Sequence, residues 1–107
     1  MFDFQATLVA ADNYARNGNY ALATFHYWLI NFAYEDEEFP YSYTEEIGAE
    51  GRKGFLKYIK KYKNEILDSK SYLDYKTELK DFPSYQNYFD NFERVVNHFI
   101  YKSSKHN

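Results

Sequence analysis

The segment from Asn19 to Tyr34, NYALATFHYWLINFAY, runs sixteen residues without a formal charge and holds the only tryptophan, Trp28. Its apolar residues (Tyr20, Leu22, Ala23, Phe25, Tyr27, Leu29, Ile30, Phe32, Ala33) occupy most sides of a helical wheel instead of a single stripe. A helix that is apolar all round is one whose neighbours cover it on every side. The segment is therefore expected to be a buried central helix over 19–34. A chain of 107 residues can assemble one core around it and is too short for a second, so residues 1–107 form a single domain. Asn19, Thr24, His26 and Asn31 interrupt the segment, which is also slightly short for a bilayer, so no membrane span is expected.

The residues before it set up a hairpin. Asp3 can cap a first helix over 4–17, with Phe4, Leu8, Ala11 and Ala15 on one face at helical spacing. Gly18 suits the left-handed position that ends a helix, and Asn19 can cap the next one, giving two antiparallel helices joined by a tight turn. Ala11, Tyr14, Gly18, Tyr20, Ala23 and Tyr27, in ADNYARNGNYALATFHY, resemble the middle of a tetratricopeptide repeat: small residue, aromatic, turn glycine, aromatic, small residue, aromatic. The resemblance covers about twenty residues. The repeat's closing proline does not fall at its place and no second copy follows at the family's period. The resemblance thus implies one repeat-like helical hairpin and not an array.

After Tyr34 comes EDEEFPYSYTEEIGAEG, residues 35–51, with Pro40, two glycines and seven acids. It shows neither helical nor strand periodicity and is expected to be a long acidic connector. A third helix over 52–67 places Phe55, Ile59, Tyr62 and Ile66 on one stripe and Lys57, Lys60, Lys61 and Lys63 around the rest. Ser71 followed by Asp74 suggests the start of a short fourth helix over 71–82, ending before Pro83. Ser84 can cap a fifth over 84–102, where Tyr85, Tyr88, Phe89, Phe92, Val95, Val96, Phe99 and Ile100 keep a steady three-four spacing. No alternating strand pattern occurs. The fold class is all-α, a compact bundle of about five helices.

Aromatic residues make up 22% of the chain and tyrosine alone numbers 13, so many hydroxyls must reach water or a partner and many rings should be half exposed. Such surfaces are favoured at interfaces. With no cysteine there is no disulfide framework and no thiolate site, which fits a reducing compartment. The opening residues MFDFQATLVA lack the basic region of a signal peptide. A cytoplasmic location is expected.

The net charge of −3 conceals a division. Residues 1–51 hold nine acids against one base, a net of −8, and residues 52–107 hold seven acids against twelve bases, a net of +5. Such a division concerns partners, or the way the halves meet. Glu35, Asp36, Glu37, Glu38, Glu45, Glu46 and Glu50, with Phe39, Tyr41 and Tyr43 among them, could form an acidic face for a basic groove, even one that takes the place of nucleic-acid phosphates. They could equally form a solvated loop, with some acids paired to the third-helix lysines.

Two further groupings bear on function. The glycines of GAEGRKG (Gly48, Gly51, Gly54), with Arg52 and Lys53, resemble the loop by which KH domains clamp a nucleic-acid backbone. The strands of such a domain are missing, and the glycines are expected to be ordinary turn residues. His26, His98 and His106 have no partner at metal-ligand spacing; His26 is expected to be a hydrogen-bonded core residue. No P-loop, dinucleotide fingerprint, nucleophile elbow or HExxH occurs, so no catalysis, metal or cofactor is expected.

These features together point to a small non-enzymatic helical protein that inhibits or regulates a macromolecular target, of the type of immunity proteins or viral anti-defence inhibitors. The target would be a protein with a basic surface, engaged by Glu35, Asp36, Glu37, Glu38, Glu45 and Glu46 with Tyr41 and Tyr43 as anchors. Pairing of the two charged halves between copies would instead give a homodimer. The alternatives are a repeat-like adaptor or scaffold hairpin, and a nucleic-acid binder using Arg52, Lys53 and the third-helix lysines.

Overall fold

The computed structural model describes residues 3–35 and 42–105, and side chains within 3–33 and 45–102. Five α-helices follow in order: α1 Phe4–Arg16, α2 Tyr20–Glu35, α3 Ser42–Ile66, α4 Lys70–Glu78 and α5 Pro83–Lys105. No strand occurs among the described residues, so the fold is all-α.

Short-range chemistry sets the first hairpin. The Asp3 carboxylate accepts a hydrogen bond from the Ala6 amide at 2.9 Å, satisfying one of the free donors of the first turn of α1. Gly18 lies at φ +79°, where a side chain would be strained. Its amide bonds the Ala15 carbonyl at 3.1 Å and the Asn19 amide bonds the Tyr14 carbonyl at 2.8 Å, closing α1 in a Schellman motif. The Asn19 side-chain oxygen then accepts from the Leu22 amide at 3.3 Å to start α2. Pro83 opens α5 at a position whose missing N–H costs the helix nothing.

Helix α2 is enclosed: every residue from 21 to 30 is buried. Its rings meet all three later helices. Phe25, fully buried, stacks on Phe89 of α5 at 5.0 Å and stands edge-on to Phe92 at 5.1 Å. The same ring reaches Tyr72 and Tyr75 of α4 at 6.3 and 6.0 Å. Tyr72 donates to the Glu93 carboxylate at 2.7 Å, and Lys76 donates to the same oxygen at 2.6 Å, which ties α4 to α5. A smaller cluster of Phe4, Ile30 and Ile47 joins α1, α2 and the start of α3.

The largest departure from the sequence reading is in the expected connector. Residues 42–51 are helical, and α3 begins ten residues before the expected start at 52. Pro40 and the acids Asp36, Glu37 and Glu38 lie outside the described residues. The glycines expected in turns, Gly48, Gly51 and Gly54, are helix interior, and the last two serve a close approach. A Cβ on Gly51 would lie 2.7 Å from Ile30 Cγ2 and 3.0 Å from the Tyr27 carbonyl, and one on Gly54 would lie 2.6 Å from the Tyr27 ring. These two glycines let α3 lie directly on α2, so the segment is not an exposed GxxG loop and the likeness to a KH clamp is lost. The burial of Ile47, Gly51, Phe55 and Ile59 repays the low helix propensity of glycine there.

Candidate functional site

Helix α3 turns Ile47, Gly51, Phe55, Ile59 and Ile66 inward and leaves Glu46, Glu50, Lys53, Lys57 and Lys61 exposed on the opposite side. The outer stripe is acidic in the N-terminal part and basic beyond it. This order complements the helix macrodipole, in which carboxylates favour the N-terminal end and ammonium groups the C-terminal end. Part of the charge division of the whole chain is therefore a property of one helix.

Among the described residues the ion pairs are Lys70–Asp74, at 2.7 Å, and Lys76–Glu93, at 2.6 Å. Neither involves α3. The expected pairing of acids with third-helix lysines within one molecule is absent among these residues, and Glu45, Glu46 and Glu50 are exposed. Of the other residues expected to bind a partner, Glu35 ends α2, Tyr43 lies in the first turn of α3, and Asp36, Glu37, Glu38 and Tyr41 lie outside the described residues.

Beside the basic part of the stripe is an aromatic surface that sequence reading did not assemble. Tyr20 of α2 stacks on Tyr62 of α3 at 4.5 Å with the planes 5° apart, and on Tyr58 at 5.3 Å. Tyr58 in turn stacks on Tyr27 at 6.0 Å. Tyr20, Tyr58 and Tyr62 are half exposed. The ammonium groups of Lys57 and Lys61 each stand 5.4 Å from the centroid of the neighbouring tyrosine, within cation–π range. Tyr27 is fixed from the other side: its hydroxyl donates to the Asp12 carboxylate of α1. Burial, then that bond, pushes the Tyr27 phenol above its ordinary range, so it acts as a neutral donor.

Clefts open at both ends of this ladder. One, of about 350 Å³, lies at the joins of α1 to α2 and α3 to α4, between the Tyr20–Tyr62 stack and the hydrogen-bonded Asn19, Ser69 and Ser71. The other, of about 140 Å³, is lined by Asp12, Tyr27, Glu50, Lys53, Lys57 and Tyr58. Tyr62 was legible as part of the amphipathic stripe of α3, and Tyr58 stands one turn before it. Their register against Tyr20 and Tyr27 depends on how closely α3 approaches α2.

The strongly perturbed titratable groups are structural. His26 Nδ1–H donates to the Leu22 carbonyl at 2.7 Å, which leaves Nε2 to accept from the Tyr75 hydroxyl at 3.2 Å. Burial lowers the imidazole pKa, and the Leu22 bond opposes this only in part. An unfolded His26 takes up a proton near pH 6.5 while the folded one resists, so its contribution to stability is complete above that pH and is lost as pH falls below it. Stability is therefore expected to decline as pH falls below 6.5, before the carboxylates titrate. Denaturation midpoints at pH 7.5 and 5.5 measure it; a His26→Gln chain showing the same decline would rule His26 out as the cause. Among the described residues no group of three His, Asp or Glu side chains could hold a metal.

No helix among the described residues is long and apolar enough to cross a membrane. No protein-family model, curated protein or solved structure matches the chain.

Proposed function

We propose that the protein is a cytoplasmic, non-enzymatic binding protein that inhibits or regulates a macromolecular target, with α3 as its contact helix. The observation that carries this reading is the set of open charges on α3, none of them paired among the described residues, flanked by three half-exposed tyrosines. Open charge steers encounter, and half-buried aromatic rings give affinity at little cost in side-chain entropy. The acidic end, with Glu45, Glu46 and Glu50 and continued in sequence by Asp36, Glu37 and Glu38, fits a protein target whose own surface is basic, such as one that handles nucleic acid. This is the role of an immunity protein or a viral anti-defence inhibitor.

The test is capture from a host lysate by wild type and by the chain with Glu37, Glu38, Glu45 and Glu46 changed to lysine, after both are checked for equal helicity. A basic target retained by wild type and lost by the variant is the expected result. Equal capture by both chains would move the contact away from the acidic end.

The lysines and tyrosines of α3 favour a second reading, in which the opposite end engages a polyanion. A salt-dependent gel shift with single-stranded nucleic acid, abolished in the Lys57→Glu/Lys61→Glu chain, is its expected signature. Indifference to nucleic acid at low salt dismisses it.

A further inference from the structure

We propose that the outer stripe of α3 is also a self-association surface, on which a second copy of this chain lies antiparallel. The proposal rests on the reading of α3 as a contact helix but needs no foreign target.

Glu46, Glu50, Lys53, Lys57 and Lys61 follow one another at intervals of four, three, four and four residues, and all five are exposed. Side chains at such intervals are neighbours on a helix surface. Glu46 therefore stands beside Glu50, Lys53 beside Lys57, and Lys57 beside Lys61, each pair of like charge and each locally repulsive. Alternating the signs along the same stripe would have given favourable pairs within the helix. The chain instead holds its charges in two blocks, and among the described residues neither block forms an ion pair with another element.

Two blocks of opposite sign on one straight stripe form a self-complementary surface. A two-fold axis between positions 53 and 54 sets Glu46 opposite the partner's Lys61 and Glu50 opposite the partner's Lys57. Symmetry repeats both contacts, giving four ion pairs from two. A parallel pairing in register would set like charge on like. The antiparallel arrangement also opposes the two helix dipoles favourably, and Tyr58 and Tyr62 lie beside the paired lysines as partly apolar flanks. Contacts of this kind are open to solvent and screened by salt, so the dimer is expected to be weak and salt-sensitive. A basic target would compete with the second copy for Glu46 and Glu50.

Sedimentation equilibrium on the intact chain tests this. Wild type is expected to dimerise at low ionic strength at concentrations on the order of 100 μM and to weaken at least about tenfold in roughly 0.5 M salt, where the Debye length falls well below 8 Å. Glu46→Lys/Glu50→Lys and Lys57→Glu/Lys61→Glu chains are each expected to be monomers, because every facing pair becomes repulsive. Their equimolar mixture restores all four opposite-sign pairs and is expected to dimerise. All four positions are exposed, and circular dichroism checks that both variants fold. Monomeric wild type at every salt, a dimer unchanged in both variants, or a mixture that stays monomeric would each overturn the proposal. A dimer that captures no target would leave self-association standing and count against the proposed function alone; a monomer that captures one would do the reverse.

Discussion

Phe25→Ala is expected to cost about 3–5 kcal/mol, the range for removing a fully buried phenylalanine. Domains of this size are stable by roughly 5–15 kcal/mol, so the variant should keep only a small margin of stability. The expectation rests on what would be left behind. Phe25 is fully buried, with rings of Phe89, Phe92, Tyr75, Trp28 and Tyr72 between 5.0 and 6.3 Å from its own. These come from α2, α4 and α5, so the void would open where three helices meet, and no single side chain can turn to fill it. Phe82 is a matched control: it is 55% exposed, and Phe82→Ala should cost less than about 0.5 kcal/mol. Urea midpoints for both variants decide the matter. Similar losses at the two positions would mean that Phe25 is not the hub of the core.

How much of this could be read from the chain depended on the range of the interaction. The caps at Asp3, Gly18 and Asn19 act within a few residues, and all three take the roles expected of them. The charge-free run of α2 and the stripe of α5 reflect burial alone, which periodicity records directly. Residues 42–51 were misread because glycine signals two different things: freedom at positive φ, as at Gly18, or the missing Cβ that lets another helix come close. Gly51 and Gly54 are the second kind, and their spacing of three residues, starting from Gly48, was the available signal. A second was Ser42 followed three residues on by Glu45, the pattern of a helix start. The tyrosine ladder was less accessible. Tyr20, Tyr27, Tyr58 and Tyr62 were each visible as aromatic residues on helix faces, but nothing local says that Tyr20 lies flat on Tyr62.

Gly51→Ala and Gly54→Ala are each expected to destabilise the protein by about 1–2 kcal/mol, although alanine is the better helix former by about 1 kcal/mol. Two effects of opposite sign compete. In an open helix interior the propensity gain would win and the substitution would stabilise. Here a Cβ at Gly51 meets Ile30 Cβ at 2.8 Å and the Tyr27 carbonyl at 3.0 Å, atoms at the base of a buried side chain and in the backbone of α2. Neither can swing aside, so the helices must separate, and forcing a packed interface apart typically costs 1–3 kcal/mol. At Gly54 the obstruction is the Tyr27 ring, held by its bond to Asp12. In a Tyr27→Ala background the Gly54→Ala penalty should therefore vanish or reverse, and a double-mutant cycle reads that coupling directly. Ala49→Gly, at an exposed position of the same helix, supplies the reference: it should cost about 1 kcal/mol through propensity alone. If Gly51→Ala and Gly54→Ala raise the denaturation midpoint, the close approach of α3 to α2 is wrong. The tyrosine ladder would then be wrong with it, since the stacking of Tyr20 on Tyr62 and of Tyr27 on Tyr58 requires that approach. If both lower the midpoint and weaken the tyrosine signal in near-ultraviolet circular dichroism, then the two glycines position the aromatic side of α3. Target capture and self-association should decline in the same variants, because both draw on the surface that the glycines hold in place.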